Sequence, residues 1–515
     1  MKTLKQIIKD NFSLLIILVI AAVLRVNLLF ARGTFWFDEQ FSIHFSSIPS
    51  WNETIKYWIL ETNPPLFTFL LRFYLPLINQ TKEATVRLLP LFFGLLGIVL
   101  LYIFAKKVFS KKVAILSALF LSLSSLHIII STETRVYSLL LLLAIASCFF
   151  FYEITFEKKQ SKIIWILYTL TNVLLIYSHL TAVLIPLIQF LTLTLLQLKK
   201  DEKNKWCISQ IISTALWLPW FIPSIISKLN INSASAWYFN TGIEKSTSNI
   251  VHLLILPFVS SLQKNLLVTL FLILLFVAFF VFIRLIKKSE GKQKNILLFI
   301  LLWALLPILL SSLLGVFVSK YVIISYPAIY LLAAIVLNKY AMDKKKFAAI
   351  IIGIIIILLP QSIETSASTI FSWNKFNKYI QENETDKSII LLPFAEVISF
   401  EEYYKGNSPI IGLYTKEDDF STDERIVRYN WNKLTTTEDE LANWVFSNTE
   451  KNNNADKIFL IQHSEKNAMI HDILFKYGWK LNNKQRAPGH FDYYLFEFNA
   501  QNNTTTSPIS EQTNK

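Results

Sequence analysis

The chain has 515 residues, 53% of them hydrophobic and only 17% charged, with 41 Phe. That composition excludes an ordinary soluble enzyme, and repeated apolar runs of about 17–25 residues mark spanning helices. The net charge of +14 does not read as nucleic-acid binding, because the basic residues sit in short loops between apolar runs, which is orientation in a membrane. The charge is also split: residues 365–515 hold 16 Lys and Arg against 21 Asp and Glu, whereas the first 364 residues hold 34 against 15.

From the N-terminus, Lys2, Lys5 and Lys9 precede an apolar run that is too long for an ordinary signal core and is read as a retained first span. Eleven spans are expected, at about 12–30, 86–105, 113–130, 136–153, 163–178, 180–198, 207–223, 265–286, 295–316, 321–338 and 347–364. Basic loops alternate along them: Lys106, Lys107, Lys111 and Lys112; Lys158, Lys159 and Lys162; Lys199, Lys200, Lys203 and Lys205; Arg284, Lys287, Lys288, Lys292 and Lys294; Lys339, Lys344, Lys345 and Lys346. By the positive-inside rule these loops and the N-terminus are cytoplasmic. The opposite side then receives 31–85, the turns at Ser131–Arg135, Ser178–His179 and Ser319–Lys320, the 224–264 connection and everything after about 365. In 31–85, the helical spacing of Trp51, Ile55, Trp58 and Ile59 suggests an interfacial helix.

The expected organisation is a membrane domain over 1–364 that includes the outward loop 31–85. An extracytoplasmic α/β domain over 365–500 follows, then a disordered Asn/Thr/Ser tail over 501–515. Strand-like runs at Ser388–Pro393, Lys457–Gln462 and Asp492–Phe498 carry the α/β expectation. Cys148 and Cys207 lie in apolar runs, which argues against a disulfide framework and a cysteine metal site.

The chemistry-bearing residues gather on the outward side. Asp38 and Glu39 stand where the chain leaves the first span. There a carboxylate can act as general base or help hold a divalent cation, or simply ease the chain out of the bilayer. Glu133 and Arg135 form a second cluster, either a local ion pair or a guanidinium available to a phosphate. His179 is a loop histidine, a hydrogen-bonding group or a metal ligand. Lys320 and Tyr321 open a later span, as snorkelling and interfacial side chains or as phosphate contacts. A transporter would place such groups near the bilayer midplane. Their common position at one rim favours chemistry on a substrate held at the membrane surface.

These stretches resemble the bacterial relatives of the dolichyl-phosphate-mannose protein mannosyltransferases, within the GT-C class of membrane glycosyltransferases. Phe37-Asp38-Glu39 is similar to the family's first-loop acidic motif, and Asn63-Pro64-Pro65-Leu66 to its His-Pro-Pro-Leu element. Arg87-Leu88-Leu89-Pro90 looks like the start of the following span, and the segment around Glu133, Arg135 and Tyr137 resembles the Glu-x-Arg-x-Tyr turn. Tyr177-Ser178-His179, Leu218-Pro219-Trp220 and Lys320-Tyr321 resemble later family stretches. Asn63 stands where the family usually has histidine, and Lys320 where arginine is commoner.

The resemblance implies a polytopic α-helical GT-C fold with about 11 transmembrane helices. It further implies transfer of a sugar, with inversion, from a polyprenyl-phosphate donor to a protein or glycolipid hydroxyl on the outer face of the cytoplasmic membrane. Asp38, with Glu39, would be catalytic. Arg135, Glu133, Tyr137, His179, Lys320, Tyr321, Glu61 and Asn63 would bind the donor phosphate and substrate. No nucleotide cofactor is expected, since no Gly-rich phosphate loop is present. A divalent ion on Asp38 and Glu39 is a possible aid, and no nucleic-acid partner is expected. The alternative is a transporter or flippase of lipid-linked sugars, which predicts ionisable residues within spans; Arg25 is the clearest of these.

Overall fold

The computed structural model describes residues 11–61, 63–80, 82–195, 200–229, 250–259, 265–316, 318–412, 438–452, 454–463, 468–487 and 493–501. Most of the expected 224–264 connection, the end of the 180–198 span and the expected tail beyond residue 501 lie outside these residues.

Among the described residues, eight helices are long and apolar enough to cross a membrane, including Phe12–Ala31, Tyr137–Thr155, Gly291–Leu313 and Lys344–Ser366. Eleven were expected, and the other three fall short of the ~20 residues a straight crossing needs. Lys162–Ile176 has 15 residues, and Leu180–Leu195 opens as a 3-10 turn. The run expected at 113–130 is broken into Lys111–Leu123 and Ser125–Ile130 at Ser124, whose hydroxyl accepts from His127 N at 3.3 Å and starts the second piece.

That break sits inside an apolar bundle, where unpaired carbonyls are costly. The spans on either side satisfy them. Arg25, fully buried, donates from Nη1 to Ser122 O at 3.1 Å and to its own turn at Ala21 O, 3.0 Å, with Nη2 3.5 Å from Leu121 O and 2.6 Å from His127 Nδ1. Ser362 Oγ donates to Leu123 O at 2.6 Å. Arg25, the one intramembrane charge singled out in the sequence, therefore closes a broken helix end. A second polar chain, Tyr168 to Gln189 to Ser147 to Asn172, links three helices through bonds of 2.6–2.9 Å. Such hydrogen bonds between helices hold a bundle that has no hydrophobic driving force in lipid.

The chain divides into two compact units, each described by itself. The first is Met1–Phe30, Thr62–Ile226 and Trp237–Ala367; the second is Ala31–Glu61, Ser227–Ala236 and Ser368–Lys515. The contacts thus part the expected loop 31–85 at Glu61 and group its first half with the C-terminal residues. The physical reason is a seam of hydrogen bonds. Arg32 O accepts from Ile370 N and Phe371 N, Thr34 Oγ1 from Trp373 N, and Phe35 O from Ser399 Oγ, while Phe35 N donates to Tyr403 OH. Gly33 makes the approach possible. Its φ is +91° and a Cβ there would lie 2.0 Å from Phe371 O.

The second unit contains a five-stranded sheet of Ser388–Leu392 (β1), Ile410–Gly412 (β2), Lys457–His463 (β3), Trp479–Arg486 (β4) and Tyr493–Ala500 (β5), in the order β2-β1-β3-β5-β4. β1 is parallel to β2 and β3, whereas β5 is antiparallel to β3 and β4. Alternate residues of β1 and β3 feed two cores. Ile390, Leu392, Phe459 and Ile461 pack with Trp373, Phe376 and Phe400, while Ile389, Leu391, Ile458 and Leu460 pack with Val445, Ile473 and Leu474. Helices on both faces explain why these strands read as unbroken apolar runs.

Candidate active site

In the first unit, three breaks in the helical run bring the predicted side chains together. They are the turn before Tyr137–Thr155, the turn between Ile176 and Leu180, and the 3-10 stretch Ser319–Ser325. Lys320 Nζ lies 2.6 Å from Glu133 Oε1, with Glu133 buried and Lys320 22% exposed. The ammonium also stands over the Tyr137 ring, 5.3 Å from its centre, a cation–π geometry. The His179 ring is 5.9 Å from that of Tyr137 and 5.0 Å from that of Tyr321. Glu133, Tyr137, His179, Lys320 and Tyr321 thus form one cluster.

Arg135 is half-buried, and its N–H donates to Glu133 O at 2.6 Å. Burial, aided by the Arg135 charge, pushes the His179 imidazole down to about 3, so at neutral pH it is uncharged. Thr181 N donates to His179 Nδ1 at 3.2 Å, which leaves the ring proton on Nε2. His179 is therefore a neutral donor, and the positive charge of the cluster comes from Lys320 and Arg135. Asn63 lies beside the Pro-Pro step, where Leu66 N donates to Tyr177 O at 3.0 Å and so ties that step to the histidine turn. Packing tightens the arginine turn too, since a Cβ on Gly94 would meet Ser131 Oγ at 2.3 Å.

Asp38, Glu39 and Glu61 belong to the second unit. Asp38 and Glu39 occupy the first turn of the helix Phe37–Ser47, where the helix dipole favours negative charge. The two neighbours differ sharply. Glu39 is fully buried with its Oε2 3.9 Å from Arg32 Nε, while Asp38 is half-buried. Glu61 ends the helix Trp51–Leu60 as its C-cap, its N–H donating to Tyr57 O at 2.9 Å. Among the described residues no three His, Cys, Asp or Glu side chains gather as a metal site.

Sequence reasoning missed Glu396. It is buried in the second unit, accepts from Tyr493 OH at Oε1, and its Oε2 makes no hydrogen bond among the described residues. Burial and the Asp38 charge raise it to about 8, against the pull of the Tyr493 hydroxyl. At neutral pH Glu396 is therefore a carboxylic acid. Its loop is anchored by Phe394, which packs on Phe37, Phe41 and Phe45. No local pattern in Pro393-Phe394-Ala395-Glu396 announces this.

Residues 62–227 match the family model of the dolichyl-phosphate-mannose-protein mannosyltransferases. No curated protein matches the chain by sequence. Among solved structures, ArnT from Cupriavidus metallidurans bound to undecaprenyl phosphate is 11% identical, with a TM-score of 0.59 over 95% of this chain and 98% of that one. Its apo form gives 0.57 over the same shares. The archaeal oligosaccharyltransferase AglB from Archaeoglobus fulgidus, in complex with an inhibitory peptide and a dolichol phosphate, is 13% identical, with a TM-score of 0.52 over 94% of this chain and 74% of that one. The fold of this chain is thus that of the GT-C membrane glycosyltransferases, and residues 62–227 carry the sequence pattern of the mannosyltransferase family model.

Proposed function

We propose that this protein transfers a sugar, with inversion, from a polyprenyl-phosphate donor to a hydroxyl of a protein or glycolipid acceptor. The observation that carries the reading is the cationic cluster at the helix breaks: Lys320 and Arg135 beside Glu133, Tyr137, Tyr321 and a neutral His179, all within or next to segments like those of enzymes crystallised with polyprenyl phosphates. In this mechanism Asp38 takes the acceptor proton. The acceptor oxygen attacks the anomeric carbon as the sugar–phosphate bond breaks, and the electron pair leaves on the lipid phosphate. Lys320 and Arg135 stabilise that developing charge, and His179 Nε2–H adds a neutral donor. A protonated Glu396 adds no second negative charge beside Asp38. Mannose is the donor sugar that the family match favours.

The alternating basic loops support a cytoplasmic N-terminus in the cytoplasmic membrane, with the helix breaks and C-terminal domain outside.

The test incubates purified protein and a membrane acceptor extract with radiolabelled polyprenyl-phosphate sugars and with the matching nucleotide sugars. Consumption of a lipid-linked donor alone supports the reading and names the sugar. Consumption of a nucleotide sugar, or passage of intact lipid-linked donor across a reconstituted bilayer without release, contradicts it.

A further inference from the structure

A cavity of about 700 Å³ opens among the ends of six helices of the first unit, lined by the basic residues Lys107, Lys292 and Lys339 with one carboxylate, Glu157. It lies where the basic loops leave the spans, far along the helices from the breaks that hold Glu133 and His179. Its walls are two-natured: Val108, Phe109, Leu297 and Ile335 are apolar, while Tyr152, Gln293 and Asn338 are polar. The basic side chains outnumber their counter-ions. Lys107 pairs with Glu153 at 3.0 Å, with Lys159 on the other oxygen of that carboxylate, and Lys292 pairs with Glu157 at 3.0 Å. Among the described residues, the lining itself holds Lys107, Lys292 and Lys339 against Glu157, and counting the adjoining Glu153 and Lys159 leaves the same excess of two positive charges. Among the described residues, the side chains of Lys339, Gln293 and Asn338 make no hydrogen bond or ion pair.

We infer that this cavity is a binding site for the phosphate headgroup of an anionic membrane lipid. An ammonium excess beside unused amide donors suits a phosphate, and apolar walls at the mouth of a helix bundle suit the first carbons of its acyl chains. A free anion would gain nothing from Val108, Phe109 and Ile335, and no Gly-rich loop is present to cradle a nucleotide. The site is separate from the sugar-transfer cluster, and its occupation is a matter of binding and stability. It does not depend on the transferase reading.

The test titrates full-length, delipidated protein in detergent with phosphatidylglycerol, phosphatidylcholine or inorganic phosphate, reading bound lipid by native mass spectrometry and the melting temperature. Phosphatidylglycerol is expected to bind and raise the melting temperature, with phosphatidylcholine and inorganic phosphate inert. Lys339→Gln breaks no contact, so it should fold. Together with Lys292→Gln it is expected to weaken phosphatidylglycerol binding by roughly tenfold or more. Lys344→Gln with Lys345→Gln, an equal charge loss outside the cavity, should leave binding intact. Equal weakening by both pairs, equal binding of phosphatidylcholine, or full stabilisation by inorganic phosphate would each overturn the inference. The last outcome would make it a free-anion site.

Discussion

Two buried carboxyl groups, one in each unit, carry predictions at the level of single residues. Glu396 has a folded value raised to about 8, so the folded state binds a proton more tightly than the unfolded chain. Its favourable contribution is complete below the ordinary Glu value. It is lost as pH rises through about 8, where the buried group must ionise beside Asp38 with only the Tyr493 hydroxyl to help. Glu396→Gln removes that loss. The variant is expected to gain on the order of a few kcal/mol relative to wild type between pH 5 and pH 9, measured as melting temperature against pH; parallel curves would refute the assignment. Glu133, in the first unit, is the second group. Lys320→Met removes one charged partner from this buried carboxylate, at a cost of up to about 3–5 kcal/mol, and adding Glu133→Gln should recover most of it. Chemical unfolding of the two single variants and the double variant reads the coupling, which near-additive losses would deny. Glu133, His179 and Lys320 were legible in the sequence because a polar residue in a tight turn between apolar runs has few places to go. Glu396 was not, because its partners Tyr493 and Asp38 are distant in the chain rather than part of any local pattern.

For whole elements, the decisive joint is the Arg32–Trp36 segment. It carries Asp38 into its helix while its Arg32 and Phe35 backbone groups are bonded to Phe371, Ser399 and Tyr403 and its Thr34 hydroxyl accepts from Trp373 N. Gly33→Ala would force a Cβ against Phe371 O in a backbone conformation that L side chains rarely adopt, a strain of roughly 1–3 kcal/mol. The expected result is faster proteolysis within residues 31–61 and reduced transfer, with the melting of the membrane helices little changed. Wild-type proteolysis and activity would show that the seam does not position Asp38. The same scale shows what patterning can and cannot announce. β1, β3 and β5 were visible as apolar runs because both of their faces are covered. β4, Trp479–Arg486, alternates buried and open positions with mostly polar residues at the sheet edge, and β2 has three residues; neither rises above the surrounding loops. The break at Ser124 was hidden because Ser122, Ser124 and Ser125 sit in an otherwise continuous apolar run. Only the Arg25 guanidinium and the Ser362 hydroxyl, from other spans, make that break tolerable.

Over the whole molecule, a bundle of apolar helices supplies cationic side chains at its helix breaks, and the unit with the five-stranded sheet holds the acidic segment that precedes the Pro-Pro step. Membrane character followed from hydropathy, and the gathering of Glu133, His179 and Lys320 at helix breaks from polar residues in tight turns between apolar runs. The grouping of Ala31–Glu61 with the C-terminal domain did not, because it rests on backbone hydrogen bonds that carry no composition signal. The central claim is that Asp38 activates the acceptor for attack on a lipid-linked sugar. The measurement that tests it is the single-turnover release of polyprenyl phosphate by wild type and Asp38→Asn, at matched melting temperature and matched donor binding. A loss of about 10²-fold or more in the variant, the low end for a missing general base, is the predicted result. Equal release by the two proteins would contradict the account and remove Asp38 from the chemistry.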